Sequence, residues 1–240
     1  MFEAIYTSLW QQPAAFWACG AVFALLAWRK LSFLAGFTLV FLVEILGDAW
    51  LTSDLSPAHG QPAAQWVAIA FVVLGDYRYF LLLGRFGRRH AETALGRTAA
   101  AGVALRALAF ALVVPLASIV PQKLFPDVYT TGRPVFLTYE LLFAALALGV
   151  LVLWLPRVRP SDPAVARWLT RLTLFELVQY VLWALADVVI LLGVDAGFLL
   201  RLIPNAMYYC LFLPFAFFAA PPALGTLRPV GPRPPAPEAP

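Results

Sequence analysis

Seven apolar segments, each long enough to cross a lipid bilayer, dominate this chain of 240 residues. A spanning helix needs about 20 apolar residues at a rise of about 1.5 Å each. The composition agrees, because 62% of the residues are hydrophobic and only 12% are charged. The sequence therefore predicts an all-α, polytopic membrane protein with seven transmembrane helices and the lipid bilayer as its main partner. The predicted spans are 12–29, 31–51, 64–84, 98–120, 134–155, 168–193 and 197–218.

Basic residues are distributed unevenly between the predicted loops. Most of them follow spans one, three, five and seven, whereas the opposite side carries only Lys123 and Arg133. Cytoplasmic loops hold the excess of positive charge, so we expect the N-terminus outside and the C-terminus in the cytoplasm. The net charge of +4 is thus a topology signal, and no nucleic-acid partner is expected. Arginine- and alanine-rich, lysine-poor usage is typical of a GC-rich bacterium, which predicts the cell (inner) membrane.

Two further features concern domain organisation. Residues 1–220 are predicted to form one transmembrane bundle, and the proline-rich residues 221–240 a disordered tail. The stretch VVLGDYRYFLLL at 72–83 aligns with RLIPNAMYYCLF at 201–212, which matches Asp76 with Asn205 and Tyr79 with Tyr208. This weak similarity suggests two three-helix units joined by span four, a 3+1+3 pseudo-repeat of a kind known in transporters.

Charged residues occur deep inside span three, where Asp76 and Arg78 lie two positions apart. Residues at this spacing do not face each other on a helix, so each needs a partner from another span. Arg106 in span four and Glu176 in span six lie at a similar depth. An unpaired charge there costs about 3 kcal/mol or more. We therefore expect these four residues to form a neutral ion-pair layer, which either acts as a gate or only holds helices together.

A second charged layer is expected nearer the outer face. Glu44 and Asp48 are four residues apart and share one face of span two. Glu140 in span five, Asp187 in span six and Arg201 in span seven lie at comparable depth. Carboxylates outnumber the basic group, so they are expected to titrate as a coupled set.

Polar residues follow one face of spans six and seven. In span seven, Pro204 should also interrupt the backbone hydrogen bonding, and broken helices recur in transporter binding sites. The face of span six carries Glu176, Tyr180, Trp183 and Asp187, and that of span seven Arg201, Asn205, Tyr208 and Tyr209. The predicted substrate-binding residues are Glu44, Asp48, Glu140, Asp187, Asn205 and Tyr208.

These layers favour a small transporter or carrier for a proton or a cationic or polar solute. His59 and His90 are both in predicted loops, so no histidine-based metal site is expected inside the membrane, and no cofactor is predicted. The identity of the small molecule or ion stays open, as does assembly into a homo-oligomer.

Two other classes of function stay open, so enzyme status is uncertain. EILGDAWL at 44–51 and ALADVVILL at 184–192, followed by NAMYYCLFLPF at 205–215, resemble the paired acidic motifs of lysoplasmalogenase-like membrane enzymes. The resemblance implies a membrane lipid enzyme in which Asp48 and Asp187 are the acids of a general acid–base mechanism. The third class is a seven-helix sensor or interaction protein whose proline-rich tail docks a partner.

Overall fold

The described part of the chain is helical and contains no strand. The computed structural model describes residues 1–6, 33–53, 56–57, 61, 63–87, 97–158, 162–221 and 224. Within these ranges, six helical segments are long and apolar enough to cross a membrane, which confirms the helical membrane class. The predicted span 12–29 and most of the predicted tail lie outside the described residues. The six segments are Leu34–Leu51, Trp66–Phe86, Ala99–Leu124, Gly132–Arg157, Pro163–Leu191 and Ala196–Phe218.

The chain crosses the bundle in alternating directions, so that successive segments are antiparallel. We call the end where α3 finishes and α4 starts the basic end, after Arg85 and Arg97. The helices are α1 Phe2–Tyr6, α2 Phe33–Leu51, α3 Ala63–Phe86, α4 Arg97–Ala111, α5 Val113–Leu124, α6 Gly132–Gly149, α7 Leu155–Val158, α8 Pro163–Leu191, α9 Ala196–Ala206 and α10 Phe212–Phe218.

Prolines explain where the spanning helices depart from regular geometry. Pro115 has no amide hydrogen to donate to the carbonyl four residues earlier, and the α4–α5 break at Leu112 follows from this loss. Two π-helical turns, Val150–Trp154 and Met207–Leu211, come shortly before Pro156 and Pro214. Each proline ring displaces the carbonyl four residues earlier, which lies inside the π turn, so the wider turn accommodates it.

Helix α8 is the centre of the bundle and contacts α3, α6, α9 and α10. Its start is well defined, because Pro163 occupies the first turn and the Asp162 side chain accepts a hydrogen bond from the Ala164 amide at 2.7 Å. The turn to α9 uses Gly193, whose φ of +79° is in the left-handed region. At Gly197 a Cβ would come within 2.6 Å of Ile190 Cγ1, so only glycine permits this close approach of the two helices.

The distribution of polar and apolar side chains is the reverse of that in a soluble protein. Large apolar side chains such as Val43, Leu105 and Leu141 are exposed on the bundle surface. Acidic, basic and amide side chains are buried at the centre instead, among them Arg78 and Asp187, which are both 0% exposed. This arrangement suits a hydrocarbon solvent, in which polar groups have to be satisfied internally. The seven-helix count and the pseudo-repeat stay predictions.

Helix α1 lies against α9 at the end opposite to the basic end. The Asp195 carboxylate accepts hydrogen bonds from the Met1 ammonium group at 2.9 Å and from the Phe2 amide at 2.9 Å. These donors lower the pKa of Asp195, which lies between two spanning segments. The contact places the ring of Tyr6 beside Phe198, with 5.8 Å between ring centroids.

Candidate functional site

Asp76 and Arg78 have separate partners, in agreement with the sequence prediction. The Asp76 carboxylate accepts a hydrogen bond from the Tyr180 hydroxyl at 2.6 Å and another from the Tyr139 hydroxyl. Tyr139 comes from α6 and Tyr180 from α8, so this carboxyl group connects three helices. Two phenol donors satisfy both oxygens of a side chain that is only 2% exposed.

Arg78 points to α2 and to the π turn Met207–Leu211. Its Nη1 atom lies 3.9 Å from Glu44 Oε2, and its Nη2 atom donates to the Tyr208 carbonyl at 3.1 Å. The guanidinium carbon lies 4.2 Å from the ring centroid of Tyr208 and 4.5 Å from that of Phe212. The ring faces compensate part of the lost hydration of the cation.

Three more carboxyl groups lie within electrostatic range of Arg78 besides Glu44: those of Asp48, Asp76 and Glu176. We call these five residues the Arg78 group. In the described part of the chain, four buried carboxyl groups thus lie in the electrostatic range of one guanidinium, and Glu44 is the one within 4 Å of it. The hydroxyl of Tyr209, and more weakly that of Tyr208, interacts with Asp48.

A second group surrounds Arg201 near the end of the bundle that carries α1. Its Nη1 atom donates to Glu140 Oε1 at 3.1 Å and to Asp187 Oδ1. The same Asp187 oxygen accepts from Arg133 Nη1 at 3.0 Å, and the Tyr6 hydroxyl accepts from Arg201 Nε at 3.0 Å. We call Arg133, Glu140, Asp187 and Arg201 the Arg201 group. It holds equal numbers of acidic and basic residues.

The charges are therefore grouped differently from the sequence expectation. The predicted acidic layer becomes balanced because Glu44 and Asp48 leave it and Arg133, assigned to a loop, reaches Asp187. The predicted neutral layer becomes acidic because Glu44 and Asp48 join it. Arg106 does not join it: its side chain is exposed and lines a lateral, mostly apolar pocket of about 520 Å³ with Phe110. The structure thus places Arg106 on a different face of the bundle from Arg78.

A cavity of about 200 Å³ lies between the two groups. Its polar lining includes Asp48 of the Arg78 group, Glu140 and Arg201 of the Arg201 group, and Asn205. The Asn205 side-chain oxygen accepts from the Trp183 indole at 2.7 Å. Apart from Tyr6, the aromatic side chains of the lining form what we call the aromatic wall: Phe136, Tyr139, Tyr180, Trp183, Tyr208 and Tyr209.

Several buried polar atoms of the site have no hydrogen-bond partner among the described residues. These atoms matter because an unsatisfied buried group costs about 1–3 kcal/mol. Arg78 Nε and Nη1 have no hydrogen-bond acceptor, although the Glu44 carboxyl group lies nearby. The Gln179 amide is fully buried and makes no hydrogen bond to the described residues. The unsatisfied acceptors are Glu44 Oε1 and Oε2, Glu140 Oε2, Asp187 Oδ2 and Gln179 Oε1.

The predicted substrate-binding residues divide into two sets. Asp48, Glu140, Asn205 and Tyr208 line the cavity. Glu44 and Asp187 are not part of the lining, and each forms an ion pair with an arginine. Asp48 and Asp187, the acids that the resemblance to lipid enzymes implies, belong to different groups.

Sequence reasoning did not assign Tyr139, Gln179 or Arg133 to the site. Tyr139 precedes Glu140 directly, and Gln179 lies three residues after Glu176, on the polar face of α8. Arg133 lies seven residues before Glu140, two helical turns away on the same face. Spacing along the helix was therefore the available signal in all three cases.

Comparison with known proteins gives no match to this chain among protein-family models, curated proteins or solved structures.

Proposed function

We propose that this membrane protein is a small transporter or carrier for a proton or a cationic solute. The observation that carries the proposal is the combination of a cavity at membrane depth with buried carboxylate oxygens that lack donors. Glu140 is the central case, because it lines the cavity, is 3% exposed and keeps Oε2 without a hydrogen-bond partner among the described residues. Ionisable residues at membrane depth mark ion and substrate paths by default.

The surplus of carboxyl groups favours a positive cargo over a negative one. The Arg78 group holds four carboxyl groups against one guanidinium, and the Arg201 group is balanced. A proton or a cation that enters the cavity lowers the electrostatic free energy of this arrangement, whereas an anion raises it. The π turn that carries Tyr208 and Tyr209 supports the same function, since π turns occur frequently at functional sites.

The test is charge movement in proteoliposomes. The purified protein is reconstituted on a solid-supported membrane, and currents are recorded after steps in pH and after addition of Na⁺, K⁺ or small amines. We expect a current with at least one of them, and we expect Glu140→Gln to abolish it. Asp127→Asn, which changes an exposed carboxylate in a loop, serves as the matched control and should carry the parent current.

Two results would contradict the proposal. The first is the absence of current with every cation and at every pH step from protein that is folded by thermal unfolding. The second is a Glu140→Gln variant with the parent current, because the carboxylate would then have no part in transport.

A further inference from the structure

We infer that the cargo of this cavity is a small organic ammonium ion, an inference that rests on the proposed function and names its substrate class. The aromatic wall carries it. Ring faces attract cations through their quadrupole, and cages of aromatic rings are the usual protein site for alkylated ammonium groups. Transport of a bare proton would not require a wall of aromatic rings.

Five rings of the wall, all except Phe136, form a continuous series of contacts. Ring centroids are separated by 6.3 Å between Tyr139 and Tyr180 and by 5.2 Å between Tyr180 and Trp183. The series continues over 5.7 Å from Trp183 to Tyr208 and over 4.7 Å from Tyr208 to Tyr209. Residues of α6, α8 and the π turn thus meet in the lining of the cavity.

Carboxylates complete the site for a cation. Asp48 and Glu140 line the same cavity, and Glu140 Oε2 is an acceptor without a partner among the described residues. Arg201 also lines it, but its guanidinium bonds Glu140, Asp187 and Tyr6, so its charge is compensated within its own group. The negative charge of Glu140 can therefore attract the positive charge of an alkylated ammonium group while the alkyl groups contact the rings.

Size and ligand chemistry favour an organic ammonium ion over a metal ion. A volume of about 200 Å³ holds several water molecules, so the cavity has room for a small organic cation such as tetramethylammonium or choline. Hard metal ions require a shell of several oxygen ligands. Within the described ranges, no group of three or more His, Cys, Asp or Glu residues could hold a metal ion.

The test measures binding of choline and tetramethylammonium to the detergent-purified full chain by calorimetry and by thermal shift. 3,3-Dimethylbutanol, the uncharged isostere of choline, and KCl are the ligand controls. We expect both ammonium ions to bind and raise the melting temperature, whereas neither control does so. Trp183→Leu should weaken binding roughly 10- to 30-fold, the loss expected for a desolvated cation–π contact.

Trp183→Phe keeps a ring at this position and should retain most of the affinity, although the hydrogen bond to Asn205 is lost. If Trp183→Leu does not fold, Phe136→Leu provides a second test on the wall, and an unchanged affinity in that variant would overturn the inference. Equal binding of the uncharged isostere would also overturn it, because the cavity would then be a site for apolar solutes.

The result also separates this inference from the proposed function. If neither ammonium ion binds but a Glu140-dependent proton current persists, the ammonium assignment is wrong and the carrier stands. If no current and no binding are found, both are wrong.

Discussion

Replacement of Arg78 by methionine is the most direct test of the buried charges. Methionine keeps an unbranched side chain of similar reach but removes the cation from a position that is 0% exposed. The change deletes the ion pair with Glu44 at 3.9 Å, the hydrogen bond to the Tyr208 carbonyl at 3.1 Å and the contacts with two rings. It also leaves the carboxyl groups around Arg78 without their basic partner.

The expected loss follows from these contacts. Removal of one member of a buried ion pair costs about 3–5 kcal/mol, because the other member stays buried and uncompensated. For a chain of this size, about 1 kcal/mol corresponds to roughly 2–4 °C in melting temperature. We therefore expect Arg78→Met to melt roughly 6–20 °C below the parent.

The assay is thermal unfolding of detergent-purified protein, with Arg106→Met as the matched control. Arg106 is exposed on the bundle surface, so the same substitution should change the melting temperature by no more than about 2 °C. The double variant Arg78→Met/Glu44→Gln should recover at least about 1 kcal/mol relative to Arg78→Met, because both members of the pair are then removed.

Two outcomes would refute this reasoning. One is an Arg78→Met variant with the same melting temperature as Arg106→Met, which would mean that Arg78 compensates no buried charge. The other is strict additivity of the Arg78 and Glu44 changes, which would mean that the two residues do not interact.

Three further predictions follow from individual contacts. Tyr180→Phe removes one of the two phenol donors of Asp76 and should cost about 1–3 kcal/mol in thermal unfolding. Gly197→Ala forces a Cβ against α8 and should destabilise by about 1–3 kcal/mol, whereas Gly36→Ala, with nothing within 4 Å, should be neutral or stabilising. The donors of Asp195 lower its pKa below 3.8. The ionised carboxylate therefore stabilises the docking of α1 at neutral pH, and this stabilisation is lost as the pH falls through the lowered pKa. Hydrogen exchange should then show a loss of protection, relative to the intrinsic rate at the same pH, for the first α1 amides at acidic pH in the parent and already at pH 7 in Asp195→Asn.

Hydropathy was sufficient for the spans because length and apolar composition determine a spanning helix. The structure confirms six of the predicted segments. Hydropathy was not sufficient for the finer geometry of the helices, which depends on prolines. Span four was predicted as one helix, and the missing donor of Pro115 divides it. The π turn at Tyr208 and Tyr209 depends in the same way on Pro214.

Depth along the membrane was a useful guide to the site, but orientation about each helix axis decided the groups. Arg106 lies at the depth of the Arg78 group, but its side chain is exposed on the bundle surface and does not reach the interior. Its helix, RTAAAGVALRALAFA, carries no further charged residue on the face of Arg106, which was the signal that this face is not directed to a charged interior.

The position of Glu44 shows a second limit of depth counting. Glu44 and Arg78 lie at different depths by residue count, on antiparallel helices. Helical side chains lean toward the N-terminus of their own helix. Those of α2 and α3 therefore lean toward each other, which brings Glu44 and Arg78 to 3.9 Å.

The distant partners of Asp76 and Arg78 also have a consequence for biosynthesis. Two such residues at membrane depth cost about 5–7 kcal/mol for insertion of α3 alone. Tyr180 follows Asp76 by 104 residues, an interval of roughly 5–20 s at ordinary rates of translation. A chain that stops before Tyr180 should leave α3 accessible to water-soluble thiol reagents at an introduced cysteine. We therefore expect integration of this protein to be a cooperative event that finishes only when its second half has been made.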